Sequence, residues 1–216
     1  DLQADESVRM WCDLVTRVTY QALYDPRANF EKQCSECDSD IVTFGTGVVR
    51  PVWNARKRHL EFRTTPMNQV VLGCDASGSI DMAYTFWMLT LRQLMQMFPE
   101  ERLPDSIKSK LQGQRPDLNE KIEVVHCCVP NEDYQRQGGR KSQFSYTSLW
   151  IAVADKWLLD EGGYYEFPYV VPRWDTSTAE VYGRSPAMIA LRDARLADVI
   201  TRSIVDAAET ALQPPM

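Results

Sequence analysis

The sequence predicts an α+β fold: a mixed helix and antiparallel-sheet domain followed by one long C-terminal helix. Three observations predict it. Near the start, Val8, Trp11, Leu14, Val15, Val18 and Ala22 recur at helical spacing between Glu6 and Tyr24. The middle of the chain carries short runs of β-branched and aromatic residues divided by turn residues. From Ala187 to about Thr210, a single apolar stripe continues along an otherwise charged helical pattern.

Taken in order, the first helix is stopped by Asp25 and Pro26 in "DPRANF". A second helix is expected over Asn29 to Val42, leading into "FGTGVVRPVW", where Gly45 and Gly47 punctuate the start of an extended run. "RHLEFRTTP" alternates Leu60 and Phe62 with charged neighbours, and "QVVLGCDASGSIDMAY" has two β-prone arms around a Ser-Gly turn. Both are expected in one small antiparallel sheet. Ala83, Phe86, Trp87, Thr90, Leu91, Leu94 and Phe98 return to helical spacing, which predicts a core helix, with a polar loop over 99–121 after it. Strand-like runs follow at "KIEVVHCCVP", "SYTSLWIAVADKWLL" and "GYYEFPYVVPRW", and the final helix ends before Pro214 and Pro215.

Composition excludes several classes. At 216 residues, 44% hydrophobic and 25% charged, the chain supports one substantial core or two small ones. A net charge of −6 argues against a general nucleic-acid binder, whose affinity comes from clustered Lys and Arg, so any DNA contact should be loose. No apolar run approaches the roughly 18 to 20 residues that cross a bilayer, and "DLQADESVRM" lacks the basic and apolar regions of a signal peptide. Cys12, Cys34, Cys37, Cys74, Cys127 and Cys128 are scattered through a chain too large to need staples, which implies reduced thiols in a cytosol. On a strand, Cys127 and Cys128 would point to opposite faces.

Local motifs with chemical potential each meet a simpler reading. Asp75, Ser77 and Ser79 in "DASGS" resemble the D-x-S-x-S cation site of a von Willebrand factor A-type adhesion module, where carboxylate and hydroxyl oxygens hold a hard cation. That fold needs repeated parallel βα units, which do not follow here, so a hairpin turn with no metal is expected. Cys34 and Cys37 form a lone "CSEC" that could belong to a zinc or redox protein, yet a structural zinc site needs four ligands and no second pair has suitable spacing. On a helix the two thiols share a face and suit packing. His59 and His126 are expected as ordinary strand residues, and "QRQGGRKS", Gln135 to Ser142, as a basic turn without a phosphate-binding pattern. No catalytic constellation appears, and neither an enzyme nor a cofactor is expected.

"FPYVVPRWD", then "EVYGRSPAMIALRDARLADV", strongly resembles the head-to-tail connecting (portal) proteins of short-tailed, T7-like bacteriophages. Its most specific piece is Pro172, Arg173 and Trp174 followed by Tyr182, Gly183, Arg184, Ser185 and Pro186. "DIVTFGTGVV", "EFRTTPMNQVVLGCDASGSIDMAYTFWMLTLRQLMQMFP" and "KIEVVHCCVPNED" fit the same pattern in order. Family members are longer, so the resemblance implies a fragment: a wing-like domain over 1–184, a first stem helix over 185–213, and the start of a missing clip at 214–216. It further implies a ring, a dodecamer, at one capsid vertex of the virion, assembled in the host cytoplasm. DNA is packaged and ejected through such a ring. Its implied partners are a terminase motor, a tail adaptor, capsid and scaffolding proteins, and transient, non-specific double-stranded DNA, with no membrane.

The residues around the helix start carry their own physical reading. Gly183 is expected to allow a tight bend that a β-branched residue resists, Ser185 to cap the helix, and Pro186 to take its first position. Beyond it, Ile189, Leu196, Val199, Ile200, Ile204, Ala207, Ala208 and Leu212 keep one stripe. Arg192, Arg195, Asp198, Arg202, Asp206 and Glu209, with Asp193, occupy the rest, an arrangement suited to a neighbouring copy or a channel wall.

Overall fold

The computed structural model describes residues 6–55, 57–111, 117–134, 143–177 and 180–212. Two helices come first, α1 (Glu6–Leu23) and α2 (Phe30–Phe44), followed by an antiparallel hairpin of β1 (Val49–Asn54) and β2 (His59–Thr64). A five-stranded antiparallel sheet comes next. Its strands are β3 (Val70–Cys74), β4 (Ile80–Thr90), β5 (Lys121–Pro130), β6 (Tyr146–Ala152) and β7 (Trp157–Tyr164), paired in that order. Between β4 and β5 lie two short helices, α3 (Leu91–Met97) and α4 (Asp105–Leu111). The last element is α5 (Pro186–Leu212).

Four expectations are corrected here. The two hairpins expected in one sheet belong to two, because β1 and β2 pair as a two-stranded sheet while β3 opens the larger one. The helix expected from Ala83 to Phe98 is a strand through Thr90 and a helix only from Leu91. Ladder pairing with β3 on one side and β5 on the other outweighs the apolar spacing of residues 83–90. Thr90 then starts α3 with a capping box, in which its hydroxyl accepts from the Gln93 N–H and the Gln93 side chain accepts from the Thr90 N–H. The loop expected over 99–121 contains α4, which buries Ile107 behind the equally buried Leu103. The run from Gly163 to Trp174 is a strand only to Tyr164. Pro168 and Pro172 lack N–H donors, and the segment keeps only isolated bridges at Val170 and Arg173.

Strand parity places the core. Leu89 and Ala83 on β4, Ile122, Val124 and Cys128 on β5 and Ala152 on β6 share one face of the large sheet. One end of that face is covered by Leu91, Leu94, Phe98, Leu103 and Ile107. The other end packs Val48, Val70, Leu72 and Tyr169. Between the two clusters the register sets Thr85, His126 and Trp150 side by side, forming a polar row through the middle of the molecule.

That row is closely bonded. The Arg50 guanidinium donates to Tyr164 Oη at 2.6 Å and reaches His126 Nδ1 at 3.5 Å. Nδ1 is therefore the acceptor nitrogen. It takes the Tyr169 hydroxyl at 2.7 Å, while Nε2–H donates to Ser148 Oγ at 2.9 Å. Burial, reinforced by the Arg50 charge, pushes the fully buried His126 down to about 3, so it is neutral.

Candidate functional site

The residues that carry the family resemblance converge where α5 leaves the sheet domain. Helix α2 ends at Gly45, whose φ of 80° is left-handed and whose N–H caps the Ile41 carbonyl. The next residues form one side of a small antiparallel seam. The Trp174 N–H donates to the Gly45 carbonyl at 2.9 Å and the Gly47 N–H to the Pro172 carbonyl at 3.0 Å, while Val49 and Val170 exchange both their bonds. Arg173 bridges to Thr46 across this seam, and its guanidinium reaches the carbonyls of Glu180 and Val181 at 3.4 and 3.3 Å.

Gly183 and Gly45 meet backbone to backbone. A Cβ on Gly183 would collide with the Gly45 carbonyl oxygen, and one on Gly45 would collide with the Gly183 carbonyl. The Gly183 N–H donates to the hydroxyl of buried Thr46 at 2.8 Å. Gly183 is thus required for close approach, not for the unusual backbone conformation expected from the sequence; the left-handed glycine of the pair is Gly45.

Ser185 performs two tasks at once. Its Oγ accepts from the Met188 N–H at 2.9 Å, the N-cap bond of α5, and donates to the Thr43 carbonyl at 2.7 Å. One buried hydroxyl therefore joins the last turn of α2 to the first turn of α5, with Pro186 as the first helical residue. The remaining signature residues surround the joint. Tyr182 Oη accepts from the Leu72 N–H at 3.0 Å, Arg184 forms a two-pronged ion pair with Glu180, and Trp174 stays exposed.

From this root α5 runs for 27 residues, roughly 40 Å at 1.5 Å per residue, and none of its residues is buried. Ile189, Leu196, Val199, Ile200, Ile204 and Leu212 are all exposed. Of the charged residues singled out on it, Asp198 and Arg202 pair at 2.8 Å one turn apart. Arg192, Arg195, Asp206 and Glu209 lie exposed along the same helix. Pro214 and Pro215 fall outside the described residues, as does the basic stretch from Gln135 to Ser142.

The other motifs have structural roles. Asp75 to Ser79 form the β3–β4 turn, and Asp75 Oδ1 accepts from the N–H groups of Ser77 and Ser79 and from the Ser77 hydroxyl. Those bonds hold its carboxyl below the usual carboxylate range. Cys34 and Cys37 lie on α2, where Cys37 Sγ fills the space a Gly47 side chain would need. Burial, with Asp38 and Asp40 adding to it, pushes the Cys37 thiol up to about 11, which leaves it protonated. Among the described residues no three His, Cys, Asp or Glu side chains gather as metal ligands do. Sequence reasoning passed over Thr43 to Gly47 as half of the joint. The pair of glycines in "FGTG" is the signal that marked it.

A family model for the bacteriophage head to tail connecting protein matches residues 1–216. The chain belongs to this family. Among connecting-protein relatives, it is 26% identical over 215 residues to the portal protein of Salmonella phage epsilon15, covering 97% of this chain and 37% of that protein. It is 23% identical over 199 residues to the probable portal protein of Bordetella phage BPP-1, covering 90% of this chain and 35% of that one. The chain thus spans little more than a third of the curated relatives it matches. Among the described residues no helix is long and apolar enough to cross a membrane.

Proposed function

We propose that this chain is the wing and first stem helix of a portal protein, a structural ring at one vertex of the phage capsid. One observation carries the reading: α5 leaves a tightly packed joint with its whole apolar stripe uncovered, a state that calls for other copies. In this assignment residues 1–184 form the wing, 185–213 the stem and 214–216 the beginning of the clip. The ring is a dodecamer within the virion, assembled in the host cytoplasm with capsid and scaffolding proteins. Terminase drives DNA through it and a tail adaptor later binds it, so the protein's part is mechanical, not enzymatic. The chain's net charge of −6 supports transient contact with the duplex, since strong phosphate attraction would hold DNA that must slide.

The test is in vitro packaging with the full-length protein carrying Arg195→Glu and Arg202→Glu, with circular dichroism as the folding control. Intact folding with impaired rings or impaired packaging is expected. Normal rings and normal packaging would overturn the stem assignment.

A further inference from the structure

A cleft of about 640 Å³ lies between the β1–β2 hairpin and the α3 end of the large sheet. Its walls include Arg50, Arg63, Gln69, Gln96 and two tryptophans, Trp87 and Trp150, and among the described residues no Asp or Glu lines it. That is unusual in a chain with 30 acidic residues against 24 basic ones. Arg63 reaches a carboxylate, Glu61, at 2.9 Å. Among the described residues the partners of Arg50 are neutral: the Tyr164 hydroxyl, the Tyr164 and Tyr169 ring faces, and neutral His126. Its Nε is buried with no acceptor at all. A half-buried cation without a counter-charge is costly, and a carboxylate brought into the cleft would lower that cost.

We propose that the cleft receives a carboxylate-bearing segment from a second copy of this chain. The inference rests on the ring reading above and names the contact that closes one copy onto the next. Charge complementarity selects the occupant: the cleft is cationic while the chain as a whole carries the acidic excess, so a neighbouring copy supplies what the cleft lacks. The contact is head-to-tail, each copy filling its neighbour's cleft and offering its own, which is the geometry that generates closed rings. Trp87 and Trp150 provide apolar walls for the aliphatic part of the entering side chain.

Gln96 is the position to test, because it lines the cleft without serving in the Thr90–Gln93 cap. In the full-length protein, Gln96→Glu places a carboxylate in the cleft. It should raise the concentration needed for ring assembly by about tenfold or more in sedimentation velocity, with unchanged circular dichroism. Gln96→Lys should assemble normally, and carbodiimide should then join the introduced amine to an acidic peptide of a different copy, identified by mass spectrometry. Rings that form as readily with Gln96→Glu as with the wild type would remove this inference and leave the ring reading standing. Cross-links confined to single copies would do the same. A wild-type protein that forms no rings would remove both.

Discussion

Helices α3 and α5 use the same apolar spacing to opposite ends. The first has 7 residues and buries Leu91 and Leu94 completely against the sheet. The second has 27 residues and buries none, leaving Leu196 60% and Ile204 63% exposed. Helix α1 resembles α5 in this respect, with Trp11, Leu14 and Val18 exposed and no buried residue. Periodicity therefore says which face of a helix seeks burial and not which molecule will cover it. In α3 the covering surface belongs to the same chain. In α5 the described residues pack only against the root, and the stripe stays exposed.

The root is where this contrast is easiest to break. Gly183→Val forces a branched side chain into the Gly45 carbonyl and should cost about 3 kcal/mol, seen as loss of soluble folded protein. Ser177→Val, in the same connection but exposed, should stay within about 0.5 kcal/mol. Equal tolerance at the two sites would mean that the glycine contact does not hold α5 in place.

Leu94→Ala should come close behind, at about 3 kcal/mol in denaturant titrations, because it opens a cavity in a closed core. The polar row at the centre of the same domain gives a smaller, pH-dependent effect. His126 has a folded value of about 3 against an ordinary 6.5, so the unfolded chain binds the proton that the folded chain refuses. Stability should then fall as pH drops below about 6.5 and stop falling on this account only near 3. Between pH 7 and pH 5 the loss is about 2 kcal/mol, at about 1.4 kcal/mol per pH unit. His126→Gln should flatten this slope, and an unchanged slope would show that other groups set it.

The smallest effect belongs to α5 itself. Leu196→Ala with Ile204→Ala should change the stability of the dissociated chain by less than about 0.5 kcal/mol, since neither side chain is covered. The same pair should weaken ring assembly in the full-length protein. A large loss in the dissociated chain would place the stripe on the chain's own surface and erase the distinction from α3.

What the sequence determined by itself is what acts over a few residues. The Ser-Gly turn in "DASGS", the β5 run "KIEVVHCCVP", the Ser185–Pro186 start of α5 and its unbroken stripe were all legible, because caps, turns and periodicity depend on neighbours in the chain. Tertiary structure decided the rest. Residues 83–90 had helical spacing, yet they became strand because β5, distant in sequence, offered a ladder that no local preference could match. Thr46 and Gly183 are 137 residues apart, and the glycines beside each mark a place of close approach without saying that the two backbones meet one another. Whether α5 would be covered was likewise undecidable locally: the stripe fixes which side chains leave water, and only the folded structure shows that none of them is buried by the described residues.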